Sequence, residues 1–232
     1  MAPSNVPFPD FDDEGVVSHG FSFRPAWWHK AVARPAWTAH LDRLPLASGD
    51  GYRRIARADL FAAASDEPAP AVAVSAYAWG TGTGAFLVGR RARAFRRNDA
   101  EVVADRLTRA RDLLSNAGAA EAYQSLLRGG RNNVRYLGPS FFTKLLYAYD
   151  AREGQPGRAL ILDRFVAAGL NRRHGWSFST RGPWSTHEYG RWLDLAHDEA
   201  HRASQELGRR VRADAVEKAY FCYGRALATG RC

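Results

Sequence analysis

Leu137-Gly138-Pro139-Ser140-Phe141-Phe142-Thr143-Lys144, followed by Leu160-Ile161-Leu162-Asp163-Arg164-Phe165-Val166, decides how this chain is read. The first stretch is a glycine-proline turn feeding a helix expected over Phe141 to Tyr149, with Lys144 in its opening turn. The second is a short apolar run that ends on an aspartate at a natural N-cap position, ahead of a helix over Arg164 to Leu170. Backbone amides left open at a helix start can grip a phosphate without reading a base, which makes Gly138, Ser140 and the nearby Arg135 candidates for backbone contact.

Lys144 stands out against the chain's own habit. Of 33 basic residues only Lys30, Lys144 and Lys218 are lysines, so a lysine at this point asks for a chemical reason. Asp163 follows 19 residues later, an interval that a helix and a return loop can fold back on itself. An amine beside a carboxylate supplies a nucleophile and a stabiliser for the cation that develops on a sugar during N-glycosidic cleavage. Arginine could not replace the lysine, because its guanidinium stays protonated and forms no Schiff base. Taken singly, Asp163 also reads as a helix cap and Lys144 as a solvated helix lysine; the spacing and the turn together favour the catalytic reading.

Outward from this pair the chain reads as mainly α, a single unit of 232 residues with an apolar fraction of 46% and almost no alternation of apolar and polar residues. Residues 1–15, rich in Asp10, Asp12, Asp13 and Glu14, are expected to be a flexible acidic tail. Trp27, Trp28 and Trp37 read as core anchors. The run Ala71 to Trp79 is open to a buried helix or a strand, and the glycine loop Gly80 to Gly84 follows it. Asn98 or Asp99 is expected to cap a helix over Ala100 to Ser115, and a long helical stretch from Thr186 to Leu227 should break near Gly208. A polar loop, Arg152 to Arg158, separates the two parts of the opening motif.

The net charge of +9 and the pI near 10.0 favour a polyanionic partner, nucleic acid first, since each phosphate contact releases counterions. Cys222 and Cys232 can build neither a disulfide framework nor a four-thiolate metal site, and no iron–sulfur cluster can be ligated. No secretion signal and no membrane-spanning run is visible, so a cytoplasmic, nucleoid-associated protein is expected.

Leu137-Gly138 to Lys144 and the stretch Ile161-Leu162-Asp163-x-x-Val166 resemble the hairpin and aspartate motif of the helix-hairpin-helix base-excision DNA glycosylases. The resemblance covers roughly residues 132–166 and is closest to the 8-oxoguanine glycosylase-like branch, whose members need no cluster. It implies two helical lobes flanking a DNA-binding cleft, and a monomer that takes double-stranded DNA with a damaged base and needs no cofactor. Lys144 would be the Schiff-base nucleophile of a bifunctional glycosylase and AP lyase, Asp163 the carboxylate that steadies the sugar cation, and 8-oxoguanine or another oxidised purine the substrate. It further implies that Trp79, Gly80 and Thr81 form the loop that fills the gap behind a flipped base, that Arg90 and Arg91 touch the opposite strand, and that Tyr147, Tyr220 and Phe221 line the base pocket. The basic runs Arg90 to Arg97 and Arg128 to Arg135 would hold the backbone.

Other readings stay open. The enzyme could act on another modified base, be monofunctional, or serve against foreign modified DNA. A non-catalytic DNA-binding module would use the same arginines but tolerate Lys144→Arg. His197 and His201 share one helix face at zinc-binding spacing, with no evident third ligand, and Gly80 to Gly84 lacks the Lys-Ser/Thr that would make it a nucleotide loop.

Overall fold

The computed structural model describes residues 6–151 and 157–230; the first five residues, most of the polar loop Arg152 to Arg158, and the last two residues, Arg231 and Cys232, lie outside the described residues. The chain is mainly helical, as its patterning predicts. The first half runs α1 (Glu14–Ser18), β1 (Gly20–Phe23), α2 (Pro25–Val32), α3 (Pro35–Thr38), a 3-10 turn (Ala39–Arg43), β2 (Arg53–Ala56), α4 (Arg57–Asp66), α5 (Ala69–Thr81), α6 (Ala85–Arg91) and α7 (Arg93–Arg96). The second half runs α8 (Ala100–Ala117), α9 (Ala119–Leu126), α10 (Pro139–Asp150), α11 (Arg164–His174), α12 (Thr186–Leu207) and α13 (Ala213–Thr229).

The ambiguous run from Ala71 to Trp79 is helical. In α5 every residue from Ala69 to Trp79 is buried, because α3, α4, α8 and α10 surround it. A helix apolar on all sides is one that neighbours enclose, and periodicity cannot distinguish it from a buried strand. The pair β1–β2 is antiparallel, with Gly20 opposite Ala56 and Phe23 opposite Arg53, and had no alternation to announce it. Asp99 caps α8 by accepting from the amides of Glu101 and Val102, and Gly208 ends α12 in the left-handed conformation at φ 61°.

The aromatic segment anchors the core through Trp28 and Trp37, whereas Trp27 sits half-buried against Tyr52. The acidic stretch is not a free tail over its described part. Phe8 packs edge-on against Tyr220 and Tyr223 of α13, Asp12 pairs with Lys218 on the same helix at 2.7 Å, and Asp13 pairs with Arg209 just ahead of it.

Helices α11 and α13 lie backbone against backbone. A Cβ on Gly224 would fall 1.8 Å from the Phe165 carbonyl, and one on Gly169 2.7 Å from that of Tyr220, so glycine at both positions sets the spacing. This contact fixes α11, and with it the aspartate at its start.

Candidate active site

Lys144 lies in the second turn of α10 rather than the first, because Gly138 is the N-cap and Pro139 already the first helical residue. Its Nζ donates to the Ser140 carbonyl at 2.9 Å and to Asp163 Oδ2 at 3.2 Å. Asp163 is both a cap and a partner. Oδ1 accepts from the amides of Phe165 and Val166 at 3.0 and 3.2 Å, which leaves Oδ2 for the amine. The N-terminal end of α11 favours the negative charge there.

Segment 159–162, which delivers Asp163, is buried and belongs to neither a helix nor a strand. Its carbonyls are satisfied one by one: Leu160 by Tyr189 OH at 3.0 Å, Ile161 by Trp192 Nε1 at 3.0 Å, and Leu162 by Thr143 Oγ1 at 3.1 Å. Thr143 also lies 3.3 Å from the Leu162 amide, so the residue before Lys144 is registered to the residue before Asp163. None of these positioning residues was singled out in the sequence. For Tyr189 and Trp192 the available signal was two aromatics with a polar tip one turn apart on one helix, which by itself does not say what they bond.

The amine is largely covered, its side chain 7% exposed. The ring centres of Trp79 and Phe141 are 5.8 and 5.7 Å from Nζ. Gly80 closes the third side: a Cβ there would lie 3.0 Å from Phe141 and 3.1 Å from the Lys144 chain, so glycine makes the room the lysine occupies. Trp79, Gly80 and Thr81 were expected on a loop. They form the last turn of α5, with Trp79 buried and its Nε1 donating to the His19 carbonyl at 3.1 Å, so no gap-filling tip exists at this point. The exposed apolar side chain of that region is Phe86, at 85% exposure on α6.

A cleft of about 510 Å³ opens beside the first turn of α10, lined by Ser140, Phe141, Tyr77, Arg90, Arg91 and Arg181 among others. Arg90 is exposed. Arg91 is half-buried, donating from Nη1 to the Gly80 carbonyl at 3.0 Å and to Thr81 Oγ1 at 2.6 Å while its guanidinium lies over Phe141 at 4.7 Å. Burial pushes its pKa below the ordinary arginine value. Arg91 thus ties off the carbonyl end of α5, in addition to facing the cleft.

Gly138 has φ −87° and ψ 163°, extended backbone open to any residue, with open space where a Cβ would stand. The strained residue in this approach is Tyr136, at φ 71° and 44% exposed, with the Arg135 guanidinium 4.8 Å over its ring. A tyrosine in that conformation is uncommon and no sequence pattern announces it. Arg135 and Tyr136 also line a larger cleft of about 880 Å³, between residues 126–139 and Pro183–Ser185.

The three aromatics expected around an extruded base separate. Tyr147 is fully buried against Phe61 and donates to Asp214 Oδ2 at 2.7 Å. Tyr220 is fully buried, donates to Glu199 Oε1 at 2.8 Å and lies 2.5 Å from His174 Nε2. Both are core members rather than cavity walls. Phe221 is half-buried against Phe165 and His19, in a group that continues through Phe21 to Trp79. His19 in that group is kept neutral, its pKa pushed down to about 3 by burial and by nearby Arg57. On α12, His197 faces the Arg158 carbonyl and His201 faces Gln205, and among the described residues no three His, Cys, Asp or Glu gather as a metal site. Among them, too, no helix is long and apolar enough to cross a membrane.

A family model described as "Putative 8-oxoguanine DNA glycosylase OGG-like protein" matches residues 14–221 of this chain. Searches of curated proteins and of solved structures return no match.

Proposed function

The chain belongs to the OGG-like 8-oxoguanine DNA glycosylase family, and from that premise we propose that it excises an oxidised purine, 8-oxoguanine foremost, from duplex DNA through Lys144 and then nicks the strand. The observation that carries this reading is the 3.2 Å contact between Lys144 Nζ and Asp163 Oδ2 at the start of α11.

In the proposed step the neutral Lys144 amine attacks C1′ of the extruded nucleotide as the C1′–N bond breaks. The base leaves with the bonding electrons and takes up a proton. Asp163 faces the positive charge that builds on the sugar, its carboxylate held in place by two α11 amides at the helix end. Loss of the amine proton and opening of the sugar ring, whose oxygen is protonated, leave a Schiff base that eliminates the 3′ phosphate. Exposed Arg90, Arg93, Arg135 and Arg181 around the clefts supply counter-charge for the DNA backbone. The half-buried group of Phe21, His19 and Phe221 beside Trp79 is the surface offered to the base.

Phe141 and Trp79 cover the amine, so one of these rings must swing aside before a sugar carbon can reach it. That cover favours a second reading, a monofunctional enzyme in which Lys144 only holds Asp163 and water attacks. Borohydride reduction with a panel of lesion-containing duplexes, followed by mass mapping, separates the two. A crosslink on Lys144 supports the first; base release without a crosslink supports the second; neither event on any duplex overturns both.

A further inference from the structure

Behind the Lys144–Asp163 pair lies a second ion pair, sealed from solvent and unused by the reaction above. Arg57 Nη1 is 2.5 Å from Glu217 Oε2, both side chains 1% exposed. The Arg57 guanidinium sits 5.3 Å from the ring centre of Trp79, whose indole also has the Lys144 amine 5.8 Å from its centre. One indole therefore carries both cations, and its Nε1 is fastened to the His19 carbonyl, so neither cation can drift from the other freely. Arg57 Nε has no hydrogen-bond partner, which leaves the guanidinium short of full compensation.

We propose that Arg57 is a positioning residue that lowers the proton affinity of the Lys144 amine from across Trp79, and that Glu217 holds Arg57 there and limits its effect. A fixed cation near an amine favours the neutral form that attacks, a recognised way of activating a lysine. The inference rests on the catalytic reading of Lys144 for its purpose, but not for its test.

Every charge around the amine enters. Asp163 on α11 adds negative charge beside it, and Arg164 on the same helix positive charge. Arg91 on α6 adds more through Phe141, and Tyr77 on α5 and Tyr147 on α10 are pushed toward their neutral forms by burial. Asp214 on α13 is matched by Arg212 at 2.8 Å. Neutral His19 contributes nothing. Burial raises the Glu217 carboxyl, partly offset by Arg57, and its charge is felt at Asp163 and Lys144. Burial works against Arg57, yet Glu217, Tyr147 and Asp214 outweigh it, so the guanidinium stays charged.

The three lysines make the test direct, because ε-carbon NMR of labelled lysine resolves Lys144 from Lys30 and Lys218 in the free, full-length protein. Arg57→Met should move the Lys144 titration midpoint alkaline by about half a pH unit or more, a roughly threefold change in proton affinity, and Glu217→Gln should move it acid by a similar amount. Should Arg57→Met fail to fold around a lone buried carboxylate, Arg57→Met/Glu217→Gln removes both charges and, read against Glu217→Gln alone, should keep the alkaline displacement. Midpoints that stay put, or that move the same way in both single variants as loosened packing would make them, overturn the inference. The pH profile of borohydride trapping should move in parallel. If the wild type never traps DNA while the NMR midpoints shift as stated, the inference stands and the Schiff-base reading falls.

Discussion

Two buried ion pairs of this protein, Lys144–Asp163 and Arg57–Glu217, are built differently. Lys144–Asp163 lies behind Ser140 and Phe141, which line a cleft, and each partner keeps another bond if the pair opens: the lysine holds the Ser140 carbonyl and the aspartate two α11 amides. Arg57–Glu217 is sealed instead, with Arg57 Nε unpartnered, the guanidinium resting against the Trp79 and Tyr147 rings, and Glu217 pushed toward protonation by burial. A pair whose members each hold another hydrogen bond can part at little cost, whereas opening a sealed pair strands a buried charge. Burial alone does not tell the two pairs apart; what each partner holds besides the other does.

Four substitutions would break or sharpen this contrast. Lys144→Gln should abolish the borohydride crosslink and lower strand cleavage on the order of 10⁴-fold, the scale for loss of a covalent nucleophile. Its unfolding free energy should fall by only about 1 kcal/mol, since Asp163 remains capped. A variant that unfolds instead would erase the distinction. Glu217→Ala should have the reverse profile, losing about 3 to 5 kcal/mol in urea denaturation because it strands a buried guanidinium. Thr143→Val severs the tie between α10 and Leu162, and should lower stability by about 1 to 3 kcal/mol. It should also reduce the excision rate more than DNA affinity, because Asp163 loses its register to Lys144. Gly80→Ala adds a methyl where 3.0 to 3.1 Å is available. Crowding and improved helix propensity should nearly cancel in stability, to within about 1 kcal/mol. Displacement of the lysine should still slow excision roughly tenfold; an unchanged rate would show that the amine's place is not set from α5.

The helices around the motif could be read from the chain because caps and glycine stops are local: Asp99 and Gly208 do their work within a few residues. Lys144 and Asp163 could be read for the same kind of reason, one helix and one return apart, with a rare lysine and an N-cap aspartate as flags. The α5 end could not. Trp79, Gly80 and Thr81 follow a run whose apolar residues fit a strand or an enclosed helix equally. Whether a tryptophan protrudes or packs depends on what surrounds it, here α4, α10 and β1.

Residue types and spacing thus specified a mainly helical chain and the lysine–aspartate pairing, since both follow from intervals shorter than a few turns. Folding in three dimensions decided that Asp163 would serve cap and amine at once, that Tyr189 and Trp192 would satisfy the carbonyls leading to it, and that Arg57 and Glu217 would meet behind Trp79. These depend on contacts between segments far apart in the chain, and such contacts leave no periodic trace in either segment.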